Sequence, residues 1–409
     1  MRIAFVVQRY GAQVVGGAEK YTWDMATGLA REGHDVEVVT SCATSYADWA
    51  NVYDPGTAEV DGVVVHRVPV LEPRPNDRFT PLHVRVVSRA TRPPVWPYGQ
   101  QRWATLMGPE LGEAVIREVA RRMEVVVFVG YHYAHSLIYV GAAAAVAPTV
   151  LVPTAHPEGA FMVGWVRRMF EHADHVVCLA EGEAALVDSV HHCGHRTTVV
   201  GCPVEPIEMP SVEAIAAARA THGLGDAPYL ITIGRLDPAK GSDEAARYAK
   251  LVRQGAAPDL QLVMVGPGDL NEKRSGAVNA GFVDHDEKLA LLAGATALLQ
   301  PSYMESFSLA LVEGWLLGRP AIVQGRNAVL RGHVERCGGA LVYTDYSSFE
   351  AACVTMLESE ELRARLGAAG YSYSRAVFDW EPVRTRFMAA LDAAAEAGRA
   401  RLERVQQVT

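Results

Sequence analysis

Short apolar runs recur along the chain, and most are followed by longer stretches in which apolar residues fall three and four apart. In the first half the runs are RIAFVV, HDVEVVT, GVVVHRV, EVVVFVG, PTVLVP and DHVVCLA. Their alternation with helical stretches predicts a parallel sheet covered by helices on both faces. The pattern breaks at VVGCPVEPIEMPS, where Pro203, Pro206 and Pro210 cluster, and restarts with PYLITIG, LQLVMVG, TALLQ and RPAIVQG. Two doubly wound α/β domains are therefore expected, over residues 1–204 and 205–380, with the link in the proline-rich stretch. The tail WEPVRTRFMAALDAAAEAGRARLERV, rich in alanine and arginine, predicts a further helix beginning after Trp380.

Composition narrows the classes. A chain of 409 residues suits two cores, and 49% hydrophobic with 21% charged residues describes a globular protein. A net charge of −9 argues against a general polyanion binder, so no nucleic-acid partner is expected. No apolar run approaches the roughly 20 residues of a membrane span, and Met1 opens directly on a strand without a leader, so a cytoplasmic protein is expected. Cys42, Cys178, Cys193, Cys202, Cys337 and Cys353 form no CxxC pair, which predicts reduced thiols. The first strand is not followed by GxGxxG, which argues against dinucleotide binding.

The densest chemistry lies in PSYMESFSLALVEGWLLGRP. Glu305 falls in a turn after the strand TALLQ, and Glu313 falls inside a helix expected to start near Ser308. Unpaired amides at that helix start would face an anion, Glu305 could accept from sugar hydroxyls, and Glu313, about two turns deeper, could hold a ribose diol. The plainer alternative is an acid favoured by the helix dipole and an ordinary exposed helix residue. In ITIGRLDPAKGSDEA, Gly234 leads to Arg235 and Lys240 just before the next helix. Two cations there would stabilise a departing diphosphate, or would simply be solvated loop charges.

Other candidates are more dispersed. Gly16 and Gly17 precede the first helix, where a backbone without side chains can approach a phosphate. His156, in LVPTAHPEG, lies just past a strand's carboxyl end, where doubly wound sheets place ligands; His132 and His135 in VGYHYAHS compete with it. Asp284 and Asp286 form a DxD-like pair that helix capping explains, and His191, His192, Cys193 and His195 in HHCGH are expected to form a surface loop. No metal site is expected. The stretch 74–103 carries Arg74, Arg78, Arg85, Arg89, Arg92 and Arg102 among Phe79, Trp96, Tyr98 and Trp103, and reads as a long irregular segment. It could close over an acceptor or touch an anionic membrane surface, although Pro93, Pro94 and Pro97 weaken an amphipathic helix there.

The glutamate pair with its flanking Pro-Ser and Gly-Arg-Pro, the Gly-Arg and Lys-Gly of GRLDPAKG, and Gly16-Gly17 with the later GHxV turn resemble glycosyltransferase family 4. The resemblance spans nearly the whole chain. It implies a GT-B fold, two Rossmann-like domains facing a central cleft, with the acceptor on the first and the nucleotide sugar on the second. It also implies that helix 381–409 packs back on the first domain. The implied activity is retaining transfer of a hexose-type sugar from a UDP- or GDP-linked donor to an acceptor hydroxyl, in natural-product or cell-surface glycan biosynthesis, without a metal. The acceptor would be a small molecule, a glycan or a lipid-linked intermediate. Catalytic positions would be His156, Glu305, Arg235 and Lys240; donor contacts would come from Gly16, Gly17, Gly234, Gly266, Ser306, Phe307, Ser308, Leu309 and Glu313 as well as Arg235 and Lys240. Front-face attack would let the leaving phosphate take the acceptor proton, with His156 positioning the sugar. Two departures stand out: Phe307-Ser308 where many members have Phe-Gly, and Cys202-Pro203 where many have Asn-Gly. Rival readings are a GT-B sugar-nucleotide epimerase and a nonenzymatic sugar-nucleotide-binding protein.

Overall fold

A computed structural model describes residues 1–90, 97–268 and 276–408. The chain forms two compact units, one made of Met1–Pro203 with Val383–Thr409 and the other of Val204–Pro382. Each is built on a parallel sheet, as the alternation predicts.

The first unit holds β1 (Arg2–Val6), β2 (Asp35–Ser41), β3 (Gly56–Val60), β4 (Val63–Val68), β5 (Val125–Val129), β6 (Thr149–Val152), β7 (His175–Cys178) and β8 (Thr197–Val199). Their order is β3-β4-β2-β1-β5-β6-β7-β8. The central strands carry continuous apolar runs because helices cover both faces: Ile3, Ala4 and Phe5 are fully buried. One strand departs from the parallel pattern. β3 pairs antiparallel with β4 through a tight turn in which Asp61 and Gly62 both have positive φ, 51° and 79°, the geometry of a two-residue hairpin loop. GTAEV is not among the apolar runs of the sequence because most of its residues are exposed at the sheet edge.

The second unit holds β9 (Tyr229–Ile233), β10 (Gln261–Val265), β11 (Val278–Gly281), β12 (Ala297–Gln300), β13 (Ala321–Gln324) and β14 (Ala340–Tyr343). The order β11-β10-β9-β12-β13-β14 is the doubly wound arrangement, with its reversal between β9 and β12. In the first unit the parallel strands reverse between β1 and β5. Ligands of such sheets sit outside the strand carboxyl ends at these reversals.

The final helix, Trp380–Val408, joins the first unit from Val383 onward. Phe387 stacks on Phe5, with ring centroids 6.1 Å apart. Arg401 holds the buried Asp174 carboxylate with two bonds of 2.8 and 2.9 Å.

Two expectations need correction. The arginine-rich stretch is not irregular: Asn76–Val87 is a helix that contains Pro81, and Pro97–Thr105 is another. Arg92, Pro93, Pro94 and Trp96 lie outside the described residues. HHCGH is a surface loop only in part, since His192, Gly194 and His195 are exposed but His191 and Cys193 are not. His191 ends the helix Glu181–His191 with its ring stacked on Phe170 at 4.1 Å, and Cys193 is buried. The imidazole packs there as an apolar plate, and burial pushes its pKa down to about 4.

Candidate active site

In the second unit, the segments after β9 and β12 meet at the reversal of the sheet. Gly234 follows β9, and Asp237 caps a short 3₁₀ turn, Pro238–Lys240, by accepting from the Lys240 amide at 3.0 Å. Gly241 follows with φ of 72°, and a Cβ there would lie 2.2 Å from the Pro301 carbonyl oxygen. Only glycine fits a backbone that approaches so closely with that φ. The two loops are thereby locked together, and Lys240 reaches across: its Nζ donates to the Met304 carbonyl at 3.1 Å and to Glu305 Oε1 at 2.8 Å. Arg235 is half exposed, with its guanidinium 3.6 Å from Asp237. Gly266, at the end of β10, is a second close approach, since a Cβ there would lie 2.0 Å from the Gly234 carbonyl oxygen.

The segment after β12 is held from below. Phe307 is buried, edge-on to Phe378 at 4.8 Å and to His333 at 5.6 Å, so its side chain anchors the loop in the core. His333 Nε2 donates to the Phe307 carbonyl at 3.1 Å, which fixes the tautomer in which Nδ1 accepts from Tyr373. Burial lowers the His333 pKa to about 4, against the opposing effect of that carbonyl. Ser308 then adopts φ of 80° and ψ of 76°, and its hydroxyl accepts from Gln300 Nε2 at 2.6 Å. The helix Leu309–Leu316 starts there without a side-chain cap, leaving amides of its first turn available. Ser306 and Leu309 flank this start and are half-buried.

Glu313 projects from the same helix and is met by Lys288, whose Nζ lies 2.8 and 2.9 Å from its two carboxylate oxygens. Each glutamate of the pair is therefore matched to one lysine. Lys288 was not singled out in the sequence because its partner lies far along the chain. Asp284, just before it, accepts from the Glu287 amide at 2.8 Å as the cap of His285–Ala293, in agreement with the capping reading of DHD. Among the described residues, no three His, Cys, Asp or Glu side chains cluster in a way that could hold a metal.

In the first unit, Gly16 and Gly17 begin the helix Gly17–Arg31. A Cβ on Gly16 would lie 2.1 Å from Glu19 Oε2, and Glu19 forms a buried pair with Arg9 at 2.6 Å. The glycine turn thus rests on an ion pair that the sequence reading did not identify. His156 follows β6 and is half-buried. The backbone before it is constrained: Thr154 has φ of 51°, and the Ala155 amide donates to Glu183 Oε1 at 2.5 Å. Glu183 is fully enclosed and also accepts from the Leu179 amide at 2.6 Å, so one carboxylate ties together the loops after β6 and β7. Burial pushes its pKa up to about 8, although both amides pull it down. His132 is half-buried between the rings of Tyr131 and Tyr133, whereas His135 is fully buried and bonded to Gln8 and the Val129 carbonyl. His135 is thus a satisfied core histidine.

Comparisons with known proteins bear on the family and the fold. Residues 16–203 match the glycosyl transferase 4-like domain, and residues 215–373 match the glycosyl transferases group 1 domain. A glycogen synthase of Mycobacterium tuberculosis is 26% identical over 94% of this chain and 93% of its own length. A D-inositol 3-phosphate glycosyltransferase of Mycolicibacterium gilvum is 26% identical over 82% of this chain and 75% of its own. Among solved structures, Anabaena HepE in complex with UDP and glucose superposes with a TM-score of 0.69 at 17% identity, covering 96% of this chain and 99% of that one. Sucrose-phosphate synthase from Thermosynechococcus elongatus gives 0.68 at 17% identity, covering 95% and 97%. With both domain families matched in order on two Rossmann-like units, the chain belongs to the family 4-like glycosyltransferases of GT-B fold.

Proposed function

We propose that this glycosyltransferase moves a hexose-type sugar from a UDP- or GDP-linked donor to an acceptor hydroxyl with retention of configuration and without a metal. The observation that carries the reading is the pairing of Lys240 with Glu305 at the reversal of the second sheet, beside the uncapped start of Leu309–Leu316. On this reading the second unit binds the donor, and the first supplies Gly16, Gly17, His156 and the acceptor surface. Glu313 takes the ribose, Glu305 takes sugar hydroxyls, and Arg235, Lys240 and the amides of Ser306 to Leu309 face the diphosphate.

As the sugar C1–oxygen bond breaks, its electron pair stays on the diphosphate, and fixed cations and amides favour that charge more than the ground state. The acceptor oxygen bonds to C1 from the same face, and its proton passes to the departing phosphate oxygen. His156 positions the sugar. Relatives named glycogen synthase, D-inositol 3-phosphate glycosyltransferase and phosphatidyl-myo-inositol mannosyltransferase support a carbohydrate or lipid-linked acceptor in glycan biosynthesis. The six free cysteines support a reducing, cytoplasmic setting.

Calorimetric titration with UDP, GDP, ADP and dTDP in EDTA tests the donor side. Tight binding of UDP or GDP is expected, and failure of all four, with and without Mn²⁺, would overturn it. Lys240→Ala is expected to lower kcat by about 100- to 1000-fold, or roughly 3–4 kcal/mol. Product analysis without acceptor separates transfer from epimerisation.

A further inference from the structure

Among the described residues only two arginines are buried, Arg9 and Arg67, at 3% and 8% exposure. Arg9 has the Glu19 carboxylate at 2.6 Å. Arg67 has no carboxylate within ion-pair distance among the described residues. Its Nη1 donates to the Tyr10 carbonyl at 2.9 Å, and its guanidinium lies 3.8 Å over the Tyr53 ring. No Arg67 nitrogen is both buried and without a partner, so the two not bonded to Tyr10 open onto the adjoining cavity, and burial of the rest of the side chain pulls the Arg67 pKa down.

Arg67 lines a cavity of about 520 Å³ formed by the β3–β4 ribbon, the Gly17–Arg31 helix and the loop after β1. Trp23, Tyr53, Asp54, Ala58 and Asp61 also line it. In the hairpin register Arg67 stands opposite Gly56, so no side chain on the edge strand covers it. The planar fork of arginine suits a carboxylate or phosphate, with only Nη1 engaged by Tyr10. Asp54 and Asp61 are exposed at the rim, where they repel a polyanion but accept hydrogen bonds from hydroxyls. Trp23 offers flat apolar surface, while the Tyr53 ring holds the guanidinium in place.

We propose that this cavity binds a carbohydrate bearing a single anionic group, a carboxylate or a phosphate monoester, with the anion on Arg67, hydroxyls on Asp54 and Asp61, and the ring against Trp23. The site lies wholly in the first unit, and its occupancy does not depend on the donor assignment.

Calorimetry with glucuronate, glucose 6-phosphate and glucose tests it. At least one anionic sugar is expected to bind with a Kd below about 1 mM, and glucose about tenfold more weakly or not at all; the tighter anion identifies the source of charge. Arg67→Met is expected to weaken binding at least about tenfold. Ala58 is exposed and shares a strand face with Gly56, so Ala58→Glu offers Arg67 a tethered carboxylate and is expected to abolish binding, while Ala58→Gln retains it. If Arg67→Met does not fold, the Ala58 pair decides. Absence of binding by both anionic sugars, equal binding of glucose, or binding unchanged in Ala58→Glu would overturn the proposal.

Discussion

Ser308 occupies left-handed backbone at the loop that carries Glu305, where many family members have glycine. For a residue with a Cβ, this conformation costs about 1–2 kcal/mol. The hydroxyl offsets part of that cost by accepting from Gln300, which is only 6% exposed and has little access to water. Ser308→Ala keeps the backbone strain and strands the Gln300 donor, with an expected loss of about 1–3 kcal/mol. Ser308→Gly strands the same donor but relieves the strain, while adding about 0.5–1 kcal/mol of unfolded-state entropy. The glycine variant should therefore be about 1 kcal/mol more stable than the alanine variant, and both should be less stable than wild type. Urea-dependent hydrogen exchange on peptides from the second unit measures this without interference from the first. An alanine variant as stable as the glycine variant would refute the strain argument; one as stable as wild type would refute the hydrogen bond.

The other predictions concern charge. Glu313→Ala should weaken nucleotide binding, whereas Glu305→Ala should mainly reduce turnover; unchanged UDP and GDP affinities in both variants would defeat this division. His135 and His333 are buried neutral with pKa values near 4, well below an unfolded histidine near 6.5. Between those values the unfolded chain binds the protons and the native state does not, so stability should fall as pH drops from 6.5 to 4. For His333 in the second unit the slope should approach about 1.4 kcal/mol per pH unit, and a flat urea midpoint of that unit across this range would contradict it; in the first unit the buried Glu183, pushed up to about 8, opposes His135 until pH falls into the unfolded carboxylate range. Arg401→Ala should cost about 3–5 kcal/mol by leaving Asp174 buried without its cation, and Asp174→Asn in that background should recover part of the loss, as read by thermal unfolding of the first unit.

The sequence revealed strands in proportion to their burial. RIAFVV and EVVVFVG are apolar after their charged first residues because both faces are covered, whereas GTAEV on the exposed edge and VNAG in β11 have no such run to display. Helices were legible where a cap or apolar spacing marked them, as at Asp284. The helix Asn76–Val87 was hidden by its proline and its arginines. At the candidate site, Glu305, Glu313 and Lys240 were visible as motif letters. Their lysine and carboxylate matching was not, since Lys288 meets Glu313 only through the winding of the sheet. Glu183 and the Arg9–Glu19 pair were also missed, because a buried charge looks like any surface charge until burial is known.

The division of the chain orders its synthesis. The second unit is one continuous segment, Val204–Pro382, inserted into a first unit whose last part begins at Val383. A ribosome therefore releases every residue of the second unit before the first has its closing helix. Until then Phe5 lacks the ring that stacks on it, and Asp174 lacks Arg401. The unit begun first is the one completed last, and a nascent chain stopped at Pro382 would carry a finished domain beside an open one.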